Sequence, residues 1–189
     1  MTPAARLQAA IEILDDVIAS ARVVHVDDED QEAAICAARL GRAADLHVTS
    51  DIDRLTVRTA ELVAAVTIPM FNEHTLPQFV GETSPERALR KLRKSHDGIL
   101  CVTLGEEGAM MLAGDELIYE HGFEVEAVDT TAAGDVFRAA FIFALLNGVP
   151  RRQMLRFANA AAAVSCTRAG AMPSVPSLQE VQDALSGAT

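Results

Sequence analysis

The chain has 189 residues, of which 50% are hydrophobic and 23% charged, and its 16 Lys and Arg against 27 Asp and Glu leave a net charge of −11. So acidic a chain, with 4% aromatics and no Trp, is a poor wrapper of nucleic acid or anionic membrane. The longest apolar stretch, Ala139 to Leu146, is far short of the roughly 18 residues that a membrane span needs, and no basic patch followed by an apolar run marks the start for export. These observations lead us to expect one cytoplasmic domain spanning residues 1–189.

The predicted elements alternate. A helical pattern follows Thr2-Pro3, with apolar residues at Leu7, Ala10, Ile11, Leu14, Val17 and Ile18. A short strand, Arg22–Val26, ends in the acidic run Asp27-Asp28-Glu29-Asp30, read as a solvated turn that caps an Ala-rich helix from Gln31 to Ala43. Next come a strand at Asp45–Thr49, a helix around Leu55–Ala65, and an apolar segment Val66–Met70 leading through Phe71-Asn72 into another helix. Pro85 opens a helix through Lys94 whose basic cluster (Arg87, Arg90, Lys91, Arg93, Lys94) reads as a solvated face. Gly98–Thr103 is continuous and apolar, as expected of a strand buried on both faces. Met110–Leu112 and Glu116–Tyr119 form a hairpin around Gly114, with Met110-Met111 in the core. Helices at Ala133–Asn147, Arg151–Thr167 and Leu178–Leu185 complete the chain. Alternating strands and helices imply an α/β fold on a parallel sheet. Cys36, Cys101 and Cys166 lack metal or redox spacing and read as three buried thiols; the five histidines are scattered, without ligand spacing.

The segment that carries chemistry is Val128–Ile142, a strand end, a run of small residues and then a long apolar helix. Ala132, Ala133 and Gly134 leave the helix N-terminal amides uncovered, where the partial positive charge favours an anion such as phosphate. Asp135, in the first turn, is placed to take a proton from an attacking hydroxyl while those amides hold developing charge. From the residues alone a second reading stands beside this one, in which Asp135 complements the helix dipole and the small residues permit close packing.

Asp129-Thr-Thr-Ala-Ala-Gly-Asp135 with Ala139-Ala140 resembles the second signature of the ribokinase-like (PfkB) carbohydrate kinase family. The likeness extends through Phe157–Ala163, Cys166–Ala171 and Pro173–Pro176, and back through Val102–Ala109, Phe71-Asn72 and the start of the Asp27 turn. It implies a three-layer ribokinase-like α/β fold with ATP, Mg²⁺ and a small sugar as ligands. Asp135 would be the catalytic base, and Ala132, Ala133 and Gly134 the anion hole. Asn72, Thr103, Gly105, Gly108 and Asn159 would serve the nucleotide, with Asn159 flanking the adenine. Asp129 with Thr131, Cys166, Ala169, Ala171 and Ser174 would form a monovalent-cation loop suited to K⁺. Where the family carries Asn-x-x-Glu, this chain places Thr75 after Asn72; Glu73 is expected to project elsewhere, so no protein ligand for Mg²⁺ is assigned. Family members are longer. The resemblance implies that the first strands, the sugar-gripping motifs and a small β lid lie outside these 189 residues. We therefore expect weak or no sugar kinase activity from the chain alone, an exposed sheet edge and apolar face, and a second copy or complementing chain to cover them. A non-catalytic nucleotide-binding domain derived from such a kinase is the alternative.

Overall fold

The computed structural model describes residues 16–187, and the start of the helix expected after Thr2-Pro3 lies outside them. The chain divides into two compact units, Met1–Pro69 and Met70–Thr189.

In the first unit, β1 (Val23–Val26) leads to α1 (Gln31–Ala43), β2 (His47–Ile52) and α2 (Thr59–Ala65). β1 and β2 are parallel, in register from Val23 opposite His47 to Val26 opposite Ser50. α1 buries Ala34, Ile35, Ala38 and Gly41, one helical face. Gly41 allows the contact, because a Cβ there would stand 2.9 Å from methyls of Val24 and Val48. Cys36 lies off that face and is exposed, and Cys166 is half-buried, so of the three thiols expected inside only Cys101 is fully buried. β2 starts later than expected because Asp45 takes the left-handed conformation, φ 57°, in the turn after α1. α2 likewise starts at Thr59, since Thr56 N–H donates to Thr59 Oγ1 (2.8 Å) and holds the preceding residues in a turn.

The acidic run is not simply a solvated turn. Asp28 is 7% exposed, and its carboxylate accepts from the Asp53 (2.9 Å) and Arg54 backbone amides and pairs with the Arg54 guanidinium. Asp30 does cap α1, accepting from Ala33 N–H at 3.1 Å. A Gly at position 28 could not provide this clamp.

The second unit carries β3 (Ile68–Asn72, which begins two residues earlier), α3 (Thr75–Val80), α4 (Pro85–Arg93), β4 (Leu100–Thr103), β5 (Ala109–Ala113), β6 (Glu116–Glu120), α5 (Ala133–Leu146), α6 (Arg151–Ser165) and α7 (Leu178–Ser186). β3 and β4 are parallel, and β5 and β6 form the expected antiparallel hairpin on β4. Within the second unit the strands run in the order β3-β4-β5-β6. This is the α/β class expected from the sequence, with no separate β lid among the described residues.

β4 is buried on both faces at Leu100, Cys101 and Val102. α5 and α6 bring alanines inward (Ala140 and Ala144; Ala158, Ala160 and Ala161), which lets the two helices approach closely. On α4, Arg87 and Lys91 pair with Glu82 and Arg90 pairs with Glu86, as a solvated face would, but Arg93 turns inward to donate to the carbonyls of His96, Gly98 and Leu112. α7 opens with a reciprocal Ser177–Glu180 capping box. Among the described residues no helix is long and apolar enough to cross a membrane.

Candidate active site

Around the first turn of α5 the second unit opens into two cavities of opposite character. On one side is a cleft of about 1020 Å³, walled by Thr103, Gly105, Gly108, Thr130, Ala133, Gly134, Asn159 and Cys166 together with the 119–125 segment. On the other is a groove of about 500 Å³ reached by Ala132 and Asp135, in which Asp135 is the only polar side chain. The small residues before Asp135 thus form a thin wall, with Ala133 and Gly134 lining the cleft and Ala132 and Asp135 lining the groove.

Ala132 holds this wall in an uncommon geometry. It precedes α5 at φ 63°, ψ 11°, the left-handed region that an alanine enters at a cost of about 1–2 kcal/mol, and no side chain caps the helix. Of the amides expected to form the anion hole, Ala133 N–H donates to Thr130 O at 3.1 Å. The N–H groups of Gly134 and Asp135 belong to the first turn, where a helix provides no internal acceptor, and they are the better donors for an anion. Gly134 has a second reason to be glycine: a Cβ there would lie 2.6 Å from Arg138 Nη1.

Glycine is also required across the cleft. Gly108 has φ 104°, and a Cβ on it would run into the backbone of residues 120–122. The Gly105–Glu107 turn and the end of β6 are therefore pressed together, aided by Tyr119 Oη donating to Glu107 O at 2.8 Å. Asn159 lies in the cleft wall, where its Nδ2 donates to Glu120 O (2.9 Å) and His121 O (3.0 Å), so its amide ties α6 to the cleft-side loop. His121, Gly122 and Phe123, which the sequence reading missed, line the same wall, and Arg156 sits 5.0 Å over the Phe123 ring. The available signal was Gly122, two residues after the end of a hairpin strand.

Asn72 stands outside both linings. Its Oδ1 accepts from His74 N–H (2.9 Å) and Thr75 N–H (2.8 Å), which starts α3, and Thr75 is buried with its hydroxyl turned back on Asn72. Glu73 lines neither cavity; its Oε1 comes within 3.6 Å of where a Gly105 Cβ would stand and 3.6 Å from His74 Nε2. With Thr75 in place of a carboxylate and the Asn72 oxygen committed, these two residues do not fit a magnesium ligand set. Among the described residues no group of three or more His, Cys, Asp or Glu is placed to hold a metal.

The loop expected to hold a monovalent cation is brought together, but by its own hydrogen bonds. Asp129 Oδ1 accepts from Thr131 N–H (2.9 Å) and Oδ2 from Gly170 N–H (2.8 Å); the Thr131 hydroxyl first, then these two amides, hold the carboxyl down at about 2. Cys166 O accepts from the Val128 and Asp129 amides, and Ala171 O from Ser174 Oγ. A cation there would share the oxygens of Asp129, Cys166 and Ala171 with N–H and O–H donors.

The sequence as a whole carries the same pattern: residues 4–178 match the pfkB family carbohydrate kinases. The chain belongs to that family. Among pfkB relatives, the ribokinase of Bacillus subtilis is 39% identical over 102 residues, 54% of this chain and 35% of the relative. That of Haemophilus influenzae is 33% identical over 157 residues, covering 80% and 51%. The structure of Arabidopsis thaliana ribokinase complexed with ribose and ATP superposes with a TM-score of 0.83 at 30% identity, over 90% of this chain and 58% of that one. The pfkB chain described here thus spans about half the length, or less, of the sequence relatives it matches.

Proposed function

We propose that this chain is the nucleotide-binding, base-carrying part of an ATP-dependent kinase that phosphorylates a sugar hydroxyl. The observation that carries the reading is the α5 wall: a backbone-lined cleft on one side, a lone carboxylate on the other, and the first-turn amides between them. ATP occupies the cleft, its phosphates along the Gly105–Gly108 turn and the amides of Gly134 and Asp135. The acceptor hydroxyl approaches from the groove side. Asp135, with its side chain 73% exposed, takes the hydroxyl proton as the new O–P bond forms and the bond from the γ-phosphorus to ADP breaks. Mg²⁺ arriving with the nucleotide supplies charge neutralisation, and no step is assigned to a protein-held ion.

The groove itself offers a sugar only Asp135, so its other hydroxyls find no partners there. This supports the expectation that the chain alone turns sugars over weakly or not at all. Phe143, Met172, Val175 and Leu178, 47%, 83%, 53% and 49% exposed, are the surface that a second copy or a complementing chain would cover. The same apolar groove and Thr75 favour the second reading, a nucleotide-binding regulatory domain of kinase descent.

Thermal unfolding with ATP and a coupled ADP-release assay over a panel of sugars separate these. ATP at 100 times its Kd should stabilise the chain by about 2.7 kcal/mol, with little sugar-dependent ADP release. Robust turnover by the chain alone would show that its sugar site is complete. If a complementing chain restores turnover and Asp135→Asn abolishes it, the kinase reading holds; ATP binding without turnover in any complex favours the regulatory one. The absence of any ATP response would remove both. Light scattering that finds a clean monomer at high concentration would count against the second copy.

A further inference from the structure

α5 buries a charge that the mechanism above does not use. Arg138 is 5% exposed, on a helix whose other buried residues are Val136, Phe137, Ala140, Phe141 and Ala144. Helical side chains lean toward the N-terminus, and the Arg138 guanidinium accordingly lies back along the first turn. Its Nη1 stands 3.8 Å from Asp135 Oδ1 and fills the space that a Gly134 side chain would take. It is also close enough to the buried Cys101 thiol on β4 to oppose the effect of burial there. The guanidinium therefore lies beside the first turn of α5 on the side of β4, next to Gly134 in the cleft wall, and it lines neither cavity.

A buried cation in that position costs desolvation, which a helix face of alanine and phenylalanine would have avoided. Its field adds to the partial positive charge of the α5 N-terminus, in surroundings where water screens it little. We propose that Arg138 is a positioning residue: a charge fixed behind the α5 turn that draws the terminal phosphate of the nucleotide onto the Gly134 and Asp135 amides. It acts through the turn, without touching the ligand. The requirement for glycine at position 134 then follows from the guanidinium as well as from the approach of phosphate.

The inference rests on the nucleotide-cleft reading, and the test keeps the two apart. Calorimetric titration of the chain with ATP and, separately, with adenosine gives a ratio of affinities that reports the phosphates alone. In Arg138→Met, which keeps an apolar stem and loses the charge, ATP should bind about tenfold more weakly while adenosine binds as before. Arg138→Lys, which keeps the charge, should recover the ratio to within a few-fold. If Arg138→Met does not fold, Arg138→Gln provides the same neutral comparison with a polar head. Parallel loss of ATP and adenosine affinity would mean that Arg138 only supports the fold, and an unchanged ratio would mean that its charge is not felt; either result overturns the proposal. A wild-type chain that binds neither ligand overturns the cleft reading first, and this inference with it.

Discussion

Two helices of this chain start from the same chemistry and end differently. α1 and α5 both follow an aspartate whose carboxylate is committed to backbone amides, at least one of them distant in sequence: Asp28 to Asp53 and Arg54, Asp129 to Thr131 and Gly170. α1 is then capped, because Asp30 accepts from Ala33 N–H with its side chain. α5 is left open, with Ala132 in the left-handed region, no capping side chain, and Ala133 and Gly134 in the wall of a cleft. The clamp fixes the turn in both cases. What distinguishes a capped helix start from an uncapped one is the residue that follows, an aspartate that accepts from an amide or small residues that do not.

Substitutions can break this parallel in graded steps. Asp28→Ala should cost the most, about 2–3 kcal/mol by urea unfolding, since a buried carboxylate is lost and the amides of Asp53 and Arg54 lose their acceptor. Asp30→Ala should cost about 1 kcal/mol, the value of a cap, and leave ATP affinity unchanged. Ala132→Gly should act in the opposite direction, raising stability by roughly 0.5–1 kcal/mol as the left-handed strain is relieved against the extra chain entropy of glycine. If both Asp30→Ala and Ala132→Gly proved neutral, the contrast between capped and uncapped starts would lose its energetic basis.

The smallest effect is read by acid. Asp129 is held down at about 2 against an ordinary value of 3.8, so the folded chain keeps this carboxylate ionised where the unfolded chain protonates it. The stabilisation is present in full above pH 4 and is lost as pH falls toward 2. Asp129→Asn should flatten the fall of unfolding free energy in that window, and an unchanged slope would show that the clamp is not made in solution.

The element order was legible because periodicity and punctuation agreed: Pro85 opening α4, Gly114 turning the hairpin, the unbroken apolar run of β4. Boundaries slipped where a side chain intervened, at Asp45 after α1 and at Thr56 and Thr59 before α2, because local hydrogen bonds and positive φ leave no period in the sequence. At the site, the motif marked Asp135 and the small residues before it, and several residues expected at the nucleotide do gather in one cleft. The functions assigned to carboxamide and carboxylate oxygens were less legible. Asn72, Asn159 and Asp129 all spend their polar atoms on backbone groups far enough away, or folded back closely enough, that spacing alone could not show it. Arg138 left a visible sign, one cation inside an apolar helix, whose meaning depended on which way it turned.

The environment of Cys101 makes the second unit its own recorder. Burial drives that thiol up to about 12, so at neutral pH it offers almost no thiolate to an alkylating reagent while β4 is in place. Cys36, on the outer face of α1, has no such shelter. In a native chain exposed to a slow thiol reagent, Cys36 is consumed first, and the rate at which Cys101 follows counts the occasions on which the strand leaves the sheet. A bound nucleotide that quiets the cleft should lengthen that interval without touching the cysteine at all.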